Sequence, residues 1–271
     1  EINILKEICL KNKIKLKIRL KKNFYTNKTF FLKIKSLIFQ CLIIIYIKFF
    51  IQKKKIDQSN KIKNLTLIDF FATNSILSSI FPYKNLDTFL KKNKKYNVFF
   101  VPTFIIDKNI SNIFKIINYL DKKNCVFKEH YLSLYDILYS NFHFLRKERY
   151  RTRFTYYKGW DVSKFIHEEI NNLDSFLVQT AITNYLFSKN LYHKNIKIEK
   201  VIDWFENQSV DKGWNMGFRK YYPNVQHVGY QAFPYYPSHM HNLTASHEEK
   251  FKVIPKKIIS IGKAYTKLKK E

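Results

Sequence analysis

The chain has 271 residues, enough for one large hydrophobic core or two modest ones, and its 46% hydrophobic content excludes general disorder. Its net charge of +28 comes from 49 basic residues of which six are arginine, within a bias towards Lys, Ile, Asn and Phe that an AT-rich genome would produce. Charge alone therefore does not choose between a solvated surface and an anionic partner. Cys9, Cys41 and Cys125 are scattered and show no C-x-x-C spacing, which fits a reducing cytosol and no disulfide framework.

Residues 1–60 form a basic aliphatic segment. The first 63 residues carry 17 Lys or Arg against Glu1, Glu7 and Asp57, half of the net charge in under a quarter of the length. Lys11 to Lys21 alternates charge with aliphatic side chains, the pattern of a strand or an extended basic arm. Leu37 to Ile47 (LIFQCLIIIYI) is apolar except for Gln40 and is flanked by lysines. Three placements suit it: a helix buried against a domain, a helix in the membrane interface with its lysines on anionic headgroups, or a span. A span needs about 20 apolar residues, and this run is short.

From about residue 64 strands and helices alternate. Leu65–Phe71 and Asn97–Thr103 predict buried strands, with a short helix near Leu86–Lys95 between them. Ile110–Leu120 predicts an amphipathic helix, Cys125–Lys128 a short strand, and Leu132 to about Arg149 another helix. Asp161 or Ser163 is placed to cap a long helix over Lys164–Lys189, because a side-chain oxygen there satisfies free N–H groups. Val201–Phe205 predicts a strand, Ser209 to about Tyr222 a helix, Val225–Tyr230 a strand, and Lys257–Ile261 a last strand. Such alternation predicts an α/β fold, with a Rossmann-like, mostly parallel sheet and helices on both faces, preceded by the basic aliphatic segment.

The residues with chemical potential gather after the Val201 strand. Glu206 stands at the strand tip beside the apolar pair Trp204 and Phe205, a position that suits a general base. Its bland alternative is a helix cap or an ion pair with Lys212 or Arg219. Asn207, Gln208, Asp211, Asn215 and Arg219 add hydrogen-bonding groups suited to a hydroxyl-rich ligand, the last three spaced four apart on one helix face. Tyr230 and Gln231 end the next strand and would open into the same crevice. His239 and His241 follow in a loop; lacking a third ligand at suitable spacing, they fit a sugar or phosphate contact, or simply a surface loop, better than a metal. Arg146 to Arg153 (RKERYRTR) suits either a phosphate grip or a solvated helix end. The chain contains no G-x-G-x-x-G, Walker loop, G-x-S-x-G or H-E-x-x-H, and no D-x-D among its ten aspartates.

Several of these runs, namely DWFENQ (Asp203–Gln208), Asp211–Lys212, N-x-G-F-R (Asn215–Arg219), GYQ (Gly229–Gln231) and EKFKVIP (Glu249–Pro255), resemble bacterial surface-polysaccharide glycosyltransferases of the GT-B type. GWDVS (Gly159–Ser163) and KEHYL (Lys128–Leu132) are similar too. The likeness covers roughly residues 64–265. It implies two Rossmann-like domains facing across a cleft, one for the acceptor and one for the nucleotide-sugar donor, with no bound metal or other cofactor. It further implies Glu206 as the base that deprotonates an acceptor hydroxyl, with Asn207, Gln208, Tyr230 and Gln231 orienting sugar. The acceptor would be a surface polysaccharide, such as capsule or lipopolysaccharide, or another lipid-linked glycan. Residues 61–255 would form the acceptor-side domain and 256–271 the start of a second one, so the chain reads as the N-terminal half of such an enzyme. The implied location is the cytoplasm, peripheral on the inner face of the membrane, with an anionic membrane surface as a further partner. The contrasting reading is a non-enzymatic, basic nucleic-acid-binding protein; scarce Arg and aromatics at core spacing weigh against it.

Overall fold

The computed structural model describes residues 26–54, 65–77, 88, 97–104, 110–143, 146, 156–157, 159–163, 166, 175–231 and 244–260. Within them the elements are α1 (Thr26–Phe50), β1 (Leu65–Ala72), β2 (Asn97–Phe104), α2 (Ile110–Asp121), α3 (Leu134–Asn141) and the short pair β3 (Tyr156–Tyr157) and β4 (Trp160–Asp161). They continue with α4 (Ser175–His193), β5 (Lys200–Trp204), α5 (Ser209–Tyr221), β6 (Gln226–Gln231), α6 (Ser246–Lys250) and β7 (Lys257–Ser260).

Five strands form one parallel sheet in the order β2-β1-β5-β6-β7. This is an α/β, Rossmann-like fold. The chain runs outwards from β1 to β2, then returns to the other side of β1 with β5. The strand order therefore reverses between β1 and β5, and the crevice outside their carboxyl ends is where such sheets bind ligands.

Apolar strand residues alternate between two helical layers. Ile68, Phe70, Phe100 and Phe104 pack with α1 and α2 through Ile43, Ile47, Ile113 and Ile117. Leu65, Leu67, Val101 and Val201 pack with α4 and α5 through Leu186, Phe187, Trp214 and Phe218. Both faces are covered, which is why the strands read as near-continuous apolar runs. The α4–α5 contact is the closer one. A Cβ on Gly213 would lie 1.9 Å from the Ala181 carbonyl oxygen, and one on Gly217 would lie 2.1 Å from Ser188 Oγ. Only glycine lets the two backbones approach that far.

Several expectations are revised. Leu37–Ile47 is the middle of the 25-residue helix α1, with Ile43 and Ile47 buried in the domain core. Among the described residues no helix is long and apolar enough to cross a membrane, which sets aside the spanning placement. Cys125 forms a single parallel bridge to Phe100, Val126 and Phe127 lie outside any strand, and the last residue of the expected strand, Lys128, begins a 3-10 turn (Lys128–Tyr131). The helix expected from Leu132 starts at Leu134, because Ser133 and Asp136 form a reciprocal capping box at that point. β7, which the resemblance assigns to a second domain, pairs with β6 and completes this sheet. The β3–β4 hairpin turns at Gly159 in a left-handed conformation (φ 81°) and has no counterpart among the expected elements. Cys41 is half-buried and Cys125 is buried. The Lys11–Lys21 arm, the Leu86–Lys95 helix apart from Thr88, most of the RKERYRTR cluster and the first part of the Lys164–Lys189 helix lie outside the described residues.

Candidate functional site

β5 ends at Trp204, and the loop Phe205–Gln208 carries the chain into α5. Asn207 sits at φ 57°, a left-handed conformation that asparagine tolerates better than most residues, and it lets the chain turn sharply there. The backbone N–H groups of Glu206 and Gln208 both donate to Asp211 Oδ2, at 2.8 and 2.9 Å. Asp211 is thus the N3 member of the capping box at the start of α5, with Gln208 at the N-cap.

Glu206 is half-buried on the side of Trp204 and Tyr230. Trp204 Nε1 donates to its Oε1 at 2.9 Å and Gln208 Nε2 to its Oε2 at 2.7 Å. The Trp204 and Tyr230 rings meet edge to face with centroids 6.2 Å apart, and Phe205 N donates to the Tyr230 carbonyl at 3.1 Å. Glu206, Gln208, Trp204 and Tyr230 form one group with every member partly open to solvent. The two donors fix the direction of the carboxylate. Such a group is equipped to accept a hydroxyl hydrogen bond and then the proton itself.

The remaining candidates are placed otherwise. Asp211 and Asn215 are fully buried on the inner face of α5. Asn215 Nδ2 donates to Asp203 Oδ2 and to the Asp211 carbonyl, both at 2.8 Å, so it ties the helix to the strand. Arg219 makes a two-pronged contact with Glu249, at 2.7 Å for each bond, and donates to the Ile254 carbonyl. Asn207 Nδ2 donates to Glu248 Oε2 at 3.3 Å, and Lys212 pairs with Glu248 Oε1 at 2.5 Å. Thus two glutamates strap α6 along α5, Glu248 to Lys212 near its start and Glu249 to Arg219 in its last turn. Gln231 is buried at the end of β6. His239 and His241 lie outside the described residues.

Beneath the loop is a polar network that no motif search singles out. Asp69 on β1 and Asp203 on β5 occupy adjoining strands one step past the paired residues Ile68 and Ile202, and both are fully buried. Thr103 on β2 donates to Asp69 Oδ1 at 2.7 Å. Lys128 donates to Thr103 Oγ1 and to Asn184 Oδ1, each at 2.6 Å. Among the described residues Lys128 is the one buried lysine, and besides the buried Glu129 next to it this part of the interior holds three carboxyls, those of Asp69, Asp203 and Asp211.

Burial raises all three acids and lowers Lys128, because desolvation disfavours whichever form is charged. Asp203 is raised further by Asp211 and Asp69. Asp211 is pushed up to about 8 by burial, against the two backbone donors that pull it down. Asp69 Oδ2, Asp203 Oδ1 and Asp211 Oδ1 have no hydrogen-bond partner among the described residues. The signal for this network is a lone aspartate in each of two apolar strands, LTLIDFF and KVIDW, where a solitary acid is out of keeping.

Among the described residues no three His, Cys, Asp or Glu side chains converge to hold a metal ion. No protein-family model matches the chain, and comparison with curated proteins and with solved structures gives no significant match.

Proposed function

We propose that this chain is the acceptor-side domain of a glycosyltransferase that moves a sugar from a nucleotide-sugar to a surface-polysaccharide or other lipid-linked glycan at the cytoplasmic side of the membrane. One observation carries the reading: Glu206, half-buried at the carboxyl end of a central strand, is aimed by Trp204 Nε1 and Gln208 Nε2. The strand belongs to the pair at which the sheet order reverses, the usual place for a ligand crevice. In this reading Glu206 takes the proton of the attacking acceptor hydroxyl, while Gln208 and Tyr230 border the sugar. Asp211, Asn215 and Arg219 hold the loop and α6 in place instead of touching substrate. Arg219, Lys212 and the two glutamates of α6 together set where the crevice wall stands. The reaction needs no cofactor beyond the nucleotide-sugar co-substrate.

The test uses an enzyme carrying both the acceptor-side and donor-side domains and follows label from nucleotide-sugar into glycan. Glu206→Gln is expected to lower turnover by about 10²–10⁴-fold, the usual contribution of a positioned base, without changing the melting temperature. Turnover equal to that of the parent enzyme rejects Glu206 as the base.

A second reading has its own observation. At the opposite end of the sheet Tyr192, Tyr221 and Tyr222 border a shallow recess of about 530 Å³ together with Lys220. Aromatic rings beside a cation suit single-stranded nucleic acid, whose bases stack on such rings. Oligonucleotide affinity that falls steeply with salt and is abolished by Tyr192→Ala and Tyr221→Ala would favour this reading over transfer.

A further inference from the structure

The helix α1 is apolar on two opposite sides. Ile43, Ile47 and Ile51 are buried against the domain, whereas Ile38, Leu42, Ile45 and Phe49 are between 44% and 78% exposed. The second set recurs at intervals of four, three and four, a continuous stripe along the outward side of the helix. A helix that is hydrophobic all round belongs in an interior or in lipid, yet this one lies on the surface.

The neighbouring helix α3 repeats the feature. Leu134, Tyr135, Leu138 and Tyr139 are exposed, while Ile137, Ser140 and Asn141 face inwards. The two helices border one cavity of about 70 Å³, lined by Gln40 and Ile44 of α1 and by Ile137 and Ser140 of α3. Lys48 Nζ also bonds the Leu132 carbonyl at 2.6 Å, so the stripes belong to one region of the surface.

Charge decides what covers it. Thr26 to Lys54 contains lysines and no acid. Lys35, Lys48 and Lys53 are exposed. Among the described residues the acids nearby are Glu129, buried in the cavity wall, Asp136, buried in the cap of α3, and the half-buried Asp121 beside Lys54 at the far end of α1. A second copy of the chain would bring the same lysines, and another net charge of +28, against these. On α3, Tyr135 and Tyr139 stack with centroids 6.1 Å apart, and the Arg146 guanidinium lies 3.7 Å from the Tyr139 ring centre. Amphipathic aromatics next to cations are the composition of a headgroup boundary.

We infer that the α1–α3 face docks on an anionic lipid surface, with the outward stripe of α1 entering the headgroup–acyl boundary and the lysines meeting lipid charge. The polar side that a free interfacial helix turns to water is replaced here by the protein itself. The inference stands on a surface apart from Glu206 and does not depend on the transfer chemistry.

The test is flotation of the full chain with phosphatidylglycerol-containing vesicles and with purely zwitterionic ones. Binding is expected to the anionic vesicles, to weaken with salt near 1 M, where screening is nearly complete, and to fall about tenfold or more in the double variant Ile45→Asn, Phe49→Ser. Phe49→Trp supplies a direct readout that does not rely on a polar substitution being tolerated: its added fluorescence is expected to be quenched by brominated acyl chains. Equal binding by the double variant, or an added indole in Phe49→Trp that brominated lipid leaves unquenched, overturns the inference. So does a sedimentation result in which the parent chain is a dimer and the double variant a monomer, since the stripe would then be covered by a second copy.

Discussion

The loop at the tip of β5 and the interior one turn below it treat carboxylates in opposite ways. Glu206 has a donor on each oxygen, Trp204 Nε1 and Gln208 Nε2, and a route to solvent. Asp69 and Asp203, a few residues back along their strands, are sealed, and each keeps one oxygen without a donor among the described residues. Distance along the chain is small, but the change in solvation is large. At the tip the carboxylate meets both solvent and side-chain donors. An acid below it has to share Lys128 with its neighbours or hold a proton itself. The site and the network beneath it thus divide the labour, with the tip left free for chemistry and the interior fixing the strands that present it.

That contrast breaks most readily at Lys128. Lys128→Met removes the donor to Thr103 and Asn184 and leaves the buried acids uncompensated, so a loss of about 3–5 kcal/mol in unfolding free energy is expected in chemical denaturation. Adding Asp69→Asn should return part of that loss, because the carboxylate that Lys128 faces is then gone. A double variant no more stable than Lys128→Met would show that packing, not charge, is what the lysine supplies.

The contrast is sharpened by pH. Asp211 is raised from 3.8 to about 8 in the folded chain, so folding takes up a proton between those values. Its contribution is complete below about pH 4 and is lost as pH rises towards 8. His227 has the opposite dependence: burial, with Arg219 and Lys256 nearby, lowers it from 6.5 to about 3. Its contribution is present above pH 6.5 and is lost as pH falls through that window. Melting temperature should therefore decline on both sides of a maximum. Asp211→Asn keeps an oxygen for the N–H groups of Glu206 and Gln208 and is expected to flatten the alkaline limb alone. Equal destabilisation of that variant at acid and alkaline pH would mean that Asp211 is ionised in the folded chain.

The smallest effect is expected at the rim. Glu249 is largely exposed although Arg219 is not, so Arg219→Ala should cost about 1 kcal/mol, measured by thermal unfolding at low salt, and less as salt screens the pair. A much larger loss would place the strap between α5 and α6 among the interior contacts.

The parts of this molecule that the sequence displays are those whose signal is local. β1 and β2 follow from apolar runs bounded by polar residues, and α5 from its periodicity and its bracketing strands. Glu206 is legible because strand tips in open α/β sheets are where ligands bind. Asp211 is less so: with glutamine at the N-cap, the capping pattern lacks its usual Ser or Thr, and the acid passes for a ligand group. Asp69, Thr103, Lys128 and Asn184 come from four separate segments: the register of β1 with β2 brings the first two together, and Lys128 reaches Thr103 and Asn184 from the 3-10 turn. The open side of α1 is similarly hidden, since LIFQCLIIIYI is apolar whichever way it is turned.

The contact through Gly213 and Gly217 has a mechanical consequence. With backbone against backbone, α5 has no cushion of side chains on which to roll or slide over α4, and Asp211 bolts the front of α5 to the loop that carries Glu206. The carboxylate is consequently set to the sheet before any ligand arrives. In the proposed transfer, adjustment would have to come from the incoming molecule, and a methyl group added at position 213 would unsettle the aim of the acid from some distance away.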